Sequence, residues 1–278
     1  MTLKKWVSLS VWIIVTIIFY PITLWVLRNT IAEEQLKHSL LVLGFAGVAL
    51  AMERKERLQF IMEFGEKSTW SLVISFVLVT VSAFFKWPLA MMMGYAFAIY
   101  ACALYLLGEK FWRGIAALVI AFSVYMVLVI SMPIFDWPLR GASAIGGKWM
   151  LDQTGLFSHL SVQFQDPIKL LLWLEEKPFE VAAECNGFGS MSGAILLAIL
   201  LGIYRRGSFL SIIGAVTLAI LISYLFNILR IFSICLFALG LPETPDYYFV
   251  MHEIVGTFYF WGCILVLWCV LRKCYPSR

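Results

Sequence analysis

Three short segments, all after residue 180, carry side chains able to do chemistry inside an otherwise apolar stretch of chain. The first is Glu184-Cys185-Asn186-Gly187-Phe188-Gly189-Ser190-Met191-Ser192-Gly193. Cys185 stands just before a helix N-terminus, where the helix dipole lowers a thiol pKa and favours thiolate. Gly189 and Gly193 have the small-xxx-small spacing that lets membrane helices approach closely. The second segment is Asn227-Ile228-Leu229-Arg230-Ile231, in which Asn227 and Arg230 are three apart and share a helix face. An arginine within an apolar run costs at least ~2.5 kcal/mol on insertion scales. The third is Met251-His252-Glu253, just ahead of the last apolar run.

Each has a passive alternative. Cys185 could be an inert thiol beside a packing motif, Arg230 a side chain snorkelling to headgroups, and His252 a solvated polar end. Taken together they are the minimum parts for acyl transfer through a thioester. Cys185 would supply the nucleophile, His252 a proton-transferring imidazole, and Arg230 a cation for a tetrahedral oxyanion. Asn227 is a supporting candidate, and Asn186 and Gly187 flank the nucleophile.

The elements that must position these residues follow from composition. Of 278 residues, 62% are hydrophobic and 14% charged, against about 25% charged in a typical soluble domain. That excludes a disordered chain, a disulfide-rich secreted module and a nucleic-acid binder, and it predicts an all-α polytopic transmembrane bundle. A span needs about 20 apolar residues, and the sequence predicts eight. They cover Trp6–Leu27, Ser39–Met52, Trp70–Phe85, Leu89–Leu107, Ile115–Met132, Phe188–Tyr204, Phe209–Leu229 and Ile254–Leu271. The whole of 1–278 is expected to be a single membrane domain. Within it, 1–132 holds five spans, 133–187 forms an extracytoplasmic cap, and 188–278 holds three spans carrying the reactive residues.

Charge gives the expected orientation. Lys4, Lys5, Arg54, Lys55, Arg57, Lys67, Lys110, Arg113, Arg205, Arg206, Arg272, Lys273 and Arg278 fall on one side. The opposite side has fewer cations, several of them in one long connection, so both termini are expected in the cytoplasm. No cleavable signal peptide is evident, because the first apolar run is too long. Within 133–187, Ile168–Leu174 is expected to be an interfacial helix. Cys185, Arg230 and His252 would then share the extracytoplasmic end of the last three spans. His38 and His159 are expected in loops, and Leu241-Pro242-Glu243-Thr244-Pro245 in a turn that ends the preceding helix. The scattered histidines predict no metal site, no phosphate loop is present, and no cofactor is implied. Cys185 has no partner expected outside the membrane, which argues against a disulfide framework.

These residues resemble the exosortase/archaeosortase family of integral-membrane cysteine transpeptidases. The likeness rests on Cys185-Asn186-Gly187 at the mouth of a helix, Asn227-x-x-Arg230-Ile231 in the next, and His252 before the last. Asn186 departs from the pattern, which leads one to expect a smaller residue there. The resemblance implies a protease or transpeptidase acting on exported proteins with a tripartite C-terminal signal: a short motif, a transmembrane helix and a basic tail. It implies Cys185 as the thioester-forming nucleophile, Arg230 as oxyanion stabiliser, His252 as proton donor or acceptor, and Asn227 as orienting Arg230 or the substrate. The acceptor would be a surface lipid or polysaccharide, and the location the cytoplasmic membrane with the site facing outward. The cap would shield the thioester from water. Two rivals stay open at this point. One is a transporter or polysaccharide-assembly component that uses Arg230 to bind an anionic substrate. The other is a purely hydrolytic membrane protease with the same three residues.

Overall fold

The computed structural model describes residues 3–53, 55, 60–164, 168–240 and 245–275. Of the described residues, 83% are helical. Its helices are α1 (Leu3–Ala32), α2 (Glu34–Glu53), α3 (Glu66–Phe85), α4 (Pro88–Leu107), α5 (Trp112–Gln153), α6 (Phe188–Tyr204), α7 (Phe209–Gly240) and α8 (Pro245–Cys274). Seven of them are long and apolar enough to cross a membrane, and α6 is a shorter apolar helix of 17 residues. At 1.5 Å per residue α6 reaches ~26 Å, near the lower limit for a span. The bundle expected from composition is therefore present. Arg54, Arg57 and Arg278, which entered the orientation argument, and the 241–244 part of the expected turn lie outside the described residues.

Two compact units divide the chain, Met1–Val129 and Ile130–Arg278. In the first, α3 packs on α4, and α1 on both α2 and α4. Buried hydroxyls here find partners, as membrane depth favours. Tyr125 has no exposed surface and shares a 2.6 Å hydrogen bond with Thr30, while Ser75 donates to the Gly94 carbonyl at 2.8 Å. Lys86 adopts a left-handed conformation (φ 53°) that ends α3, and Trp87-Pro88 restarts the chain as α4.

In the second unit, α6, α7 and α8 pack against one another. A three-stranded antiparallel sheet, β1 (Ser158–Gln163), β2 (Lys169–Leu174) and β3 (Lys177–Glu180), connects α5 to α6. Register pairs Ser158 with Leu174 and Leu174 with Lys177. One core gathers Ala144 and Leu151 of α5, Leu170, Leu172 and Leu174 of β2, Val181, Cys185, and Ile231 and Cys235 of α7. The sheet thus buries one side of the Cys185 segment.

Several expectations are corrected here. Ile168–Leu174 is not an interfacial helix: Lys169–Leu174 is the central strand. Six apolar-rich residues are too few for a stable helix and suit a strand buried between two partners. The fifth helix does not stop at Met132. It runs through Pro133 and Pro138 to Gln153, because tertiary bonds hold its second half, including Tyr224 Oη donating to the Ala142 carbonyl at 2.9 Å. α7 continues ten residues past Arg230 to Gly240, and α8 begins before His252, so Arg230 and His252 both lie within helices. His38 sits on α2, and His159 sits on β1 stacked on Trp173. Neither is in a loop.

Candidate active site

Every side chain singled out in the sequence belongs to the second unit, and the fold brings them together. Val181 continues β3 by donating to the Leu170 carbonyl. The chain then closes a short 3-10 turn, Ala183–Cys185, with Cys185 N–H on the Ala182 carbonyl at 2.9 Å. Gly187, at φ 79°, turns the backbone into α6. Cys185 is therefore fixed between a strand and a helix start.

Three consecutive carbonyls of this segment are each taken by a side chain from another helix. Arg230 Nη1 donates to the Glu184 carbonyl at 2.9 Å, and Asn227 Nδ2 donates to the Cys185 carbonyl at 2.9 Å. Ser143 Oγ lies 3.4 Å from the Asn186 carbonyl, and Asn227 Nδ2 also reaches Ser143 Oγ at 2.8 Å. Asn227 and Arg230 do share a face of α7, and that face holds the Cys185 segment. Asn227 contacts the backbone of Cys185, where the resemblance implied that it orients Arg230 or the substrate. Its Oδ1, like Arg230 Nε, is buried with no hydrogen-bond partner among the described residues.

The side chains converge on one nitrogen. Cys185 Sγ lies 3.2 Å from His252 Nε2, and Arg230 Nη2 lies 3.3 Å from the same atom. The Glu253 carboxylate stands 3.8 Å from His252 Nδ1. A guanidinium only donates. Both contacts are hydrogen bonds when Nε2 is unprotonated and accepts from the thiol S–H and from Arg230. Gly256, one turn beyond His252 on α8, makes room for this: a Cβ there would lie 2.9 Å from Arg230 Nη2.

The family follows from the whole chain. A family model described as transmembrane exosortase (Exosortase_EpsH) matches residues 8–269. The chain belongs to the transmembrane exosortase family. No curated protein and no solved structure matches it. Its helices make this exosortase a multi-pass membrane protein.

Electrostatics correct one expectation. Burial has the largest influence on the Cys185 thiol and pushes it above the ordinary thiol range. The Arg230 guanidinium pulls it back, Glu184 pushes it up, and the Ala182 backbone bond and Arg140 pull it down. Desolvation therefore outweighs the combined pull of Arg230, the Ala182 bond and Arg140. The sign gives a prediction. Alkylation of Cys185 by iodoacetamide, read on its own peptide by mass spectrometry, should keep rising with pH above about 8.5, the pKa of a free thiol. Arg230→Ala should move that rise to still higher pH. A rise complete well below that value would mean a resting thiolate.

Sequence reasoning missed four contributors. Asp136, Arg140 and Ser143 lie on the half of α5 that was expected to be cap, and Gly256 lies on α8. The available signal was the Asp136-x-x-x-Arg140 spacing, which pairs charges only on a helix. Among the described residues, no group of three His, Cys, Asp or Glu side chains could hold a metal ion.

Proposed function

We propose that this exosortase is a membrane-embedded cysteine transpeptidase. It cleaves the tripartite C-terminal sorting signal of exported proteins through a thioester and passes them to a lipid or polysaccharide acceptor at the surface. The observation that carries this reading is the convergence of Cys185 Sγ and the Arg230 guanidinium on His252 Nε2, at 3.2 and 3.3 Å. The site faces the extracytoplasmic side of the cytoplasmic membrane, with the second half of α5 and the sheet as its cap.

A substrate anchored by its own helix meets the enzyme in the membrane plane, and its motif reaches Cys185 in extended form. The thiol proton passes to His252 Nε2 as sulfur attacks the scissile carbonyl carbon. A carbon–sulfur bond forms, and the carbonyl electron pair moves onto oxygen. Protonated Nε2 no longer accepts from Arg230, so the Nη2 N–H groups turn to the oxyanion while Nη1 keeps the Glu184 carbonyl. His252 then returns the proton to the leaving amine, the carbon–nitrogen bond breaks, and the anchor helix departs with its basic tail. An acceptor hydroxyl or amine loses its proton to His252, attacks the thioester and expels the Cys185 thiolate, which the imidazolium reprotonates. Separating thiolate from imidazolium leaves the anion between two cations, which offsets the cost of a second positive charge beside Arg230.

The test is thiol trapping. Wild type, Cys185→Ala and His252→Ala are each expressed with a tail-anchored candidate substrate and read by intact mass. A covalent adduct that hydroxylamine releases is expected in wild type and absent in Cys185→Ala. If several substrates give no adduct and Cys185→Ala still supports processing, the reading fails.

A further inference from the structure

The second half of α5 presents Asp136, Arg140 and Ser143 at i, i+4 and i+7, on one helix face. Arg140 clamps Asp136 with both ends of its fork, Nε on Oδ1 at 2.9 Å and Nη2 on Oδ2 at 2.5 Å. The same Oδ1 accepts a 2.7 Å hydrogen bond from Asn186 Nδ2. Asn186 in turn turns its Oδ1 to the Phe188 N–H at 2.7 Å, the first amide of α6. Asn186 is almost wholly buried. Its amide is thus polarised in one sense, donor toward α5 and acceptor toward α6, and no side chain lacking both groups could take its place.

The partly buried Asp136–Arg140 pair is fully engaged and has side-chain exposures of 18% and 15%. A carboxylate at that depth is retained where its partners need it. Asp136 has one partner besides Arg140 in this network, and that partner is the residue next to Cys185. Given Cys185 as the nucleophile of the reaction proposed above, we infer that Asp136, braced by Arg140, is a positioning residue that aims Cys185 Sγ at His252 by locking Asn186. This also accounts for asparagine at 186, where the family resemblance led to a smaller residue: here the position links α5 to the start of α6.

The geometry makes the coupling testable by exchange. Asn186→Asp keeps the side-chain size and the acceptor for Phe188, but sets two carboxylates against each other. Asp136→Asn combined with Asn186→Asp rebuilds the link with donor and acceptor reversed. The experiment measures steady-state cleavage of a tail-anchored substrate by the full-length enzyme in proteoliposomes, with kcat and KM resolved. Iodoacetamide labelling of Cys185 is followed as a function of pH in the same preparations, with thermal unfolding alongside. Asp136→Ala and Asn186→Asp should each lower kcat by about 100-fold with KM changed by less than about threefold, as expected for a misaimed reacting group. Both should also alter the pH profile of Cys185 labelling. The exchanged pair should recover kcat to within about tenfold of wild type.

The inference is overturned if Asp136→Ala cleaves at the wild-type rate. It is overturned equally if the exchanged pair melts like wild type yet stays as slow as Asn186→Asp. Cys185→Ala run in parallel separates the two levels. If that variant still cleaves, the nucleophile assignment itself is wrong. If it is inactive while Asp136→Ala is fully active, only the positioning role falls.

Discussion

Replacing Cys185 with alanine is expected to lower cleavage by 10⁴-fold or more, of order the loss seen when the nucleophile of an acyl-transfer enzyme is removed. His252→Ala should lose about 10² to 10⁴-fold, the range for a positioned proton-transfer group. Arg230→Ala should lose at least about 10² to 10³-fold, as for one oxyanion donor. Its loss also frees the Glu184 carbonyl that Nη1 holds. The diagnostic result is non-additivity. Cys185 Sγ and Arg230 Nη2 both address His252 Nε2, so the three side chains form one unit. Adding His252→Ala to Cys185→Ala should change nothing further, measured as single-turnover rates on one substrate. Cys185→Ser should recover little, because a hydroxyl is far harder to deprotonate than a thiol in a site that already penalises the anion by burial. The transporter alternative differs at the cysteine: it predicts Cys185→Ser tolerated, with Arg230→Ala inactive under either reading. Independent losses that multiply across the double variant would also break the unit apart.

The parts of this site legible in the sequence were those whose chemistry is out of place in lipid. Arg230, Asn227 and His252 stood out because a buried charge or amide is expensive at membrane depth, and that cost is visible without a structure. Cys185 stood out because, of the six cysteines, it alone lies at the expected outer end of a span. Whether the four meet was not legible, since contact among α6, α7 and α8 depends on packing that hydropathy does not encode. The bundle itself could be read from apolar run lengths, and span limits erred where prolines or polar residues sit inside helices. Pro133 and Pro138 read locally as breaks. The helix survives them because Tyr224 and Asn227 hold its second half from α7. That single error hid Asp136, Arg140 and Ser143, whose i, i+4, i+7 alignment exists only if the helix continues. The strand at Lys169–Leu174 was misjudged for a related reason. Its leucines are buried by α5 and α7, and a short apolar run looks alike in a sheet and at a membrane surface. The thiol's direction of shift was misjudged because a helix start can be read from sequence, whereas burial by Leu170, Val181 and Ile231 cannot.

Gly187→Ala is expected to damage both fold and chemistry, through two causes that can be separated. Gly187 has φ 79°, a left-handed conformation that costs an alanine roughly 1–2 kcal/mol. A Cβ at this position would also lie 2.6 Å from Asn227 Cγ and 2.7 Å from its Nδ2. Asn227 has no room to yield: it is 3% exposed and its Nδ2 is committed to Ser143 Oγ and to the Cys185 carbonyl. Overpacking of this kind adds about 1–3 kcal/mol. Either α6 shifts or the Asn227–Cys185 bond breaks, and in both cases Sγ moves relative to His252. A displacement near 1 Å is enough for about 100-fold in rate. Gly155 supplies the control, since it has φ 81° with nothing within 4 Å of an added Cβ. Gly155→Ala should therefore show the conformational cost alone and near-normal cleavage. Unfolding in detergent and single-turnover rates on the two variants decide the matter. If Gly187→Ala is no less stable than Gly155→Ala and cleaves as fast, Asn227 does not fix the Cys185 segment, and the carbonyl clamp around Cys185 is incidental to cleavage.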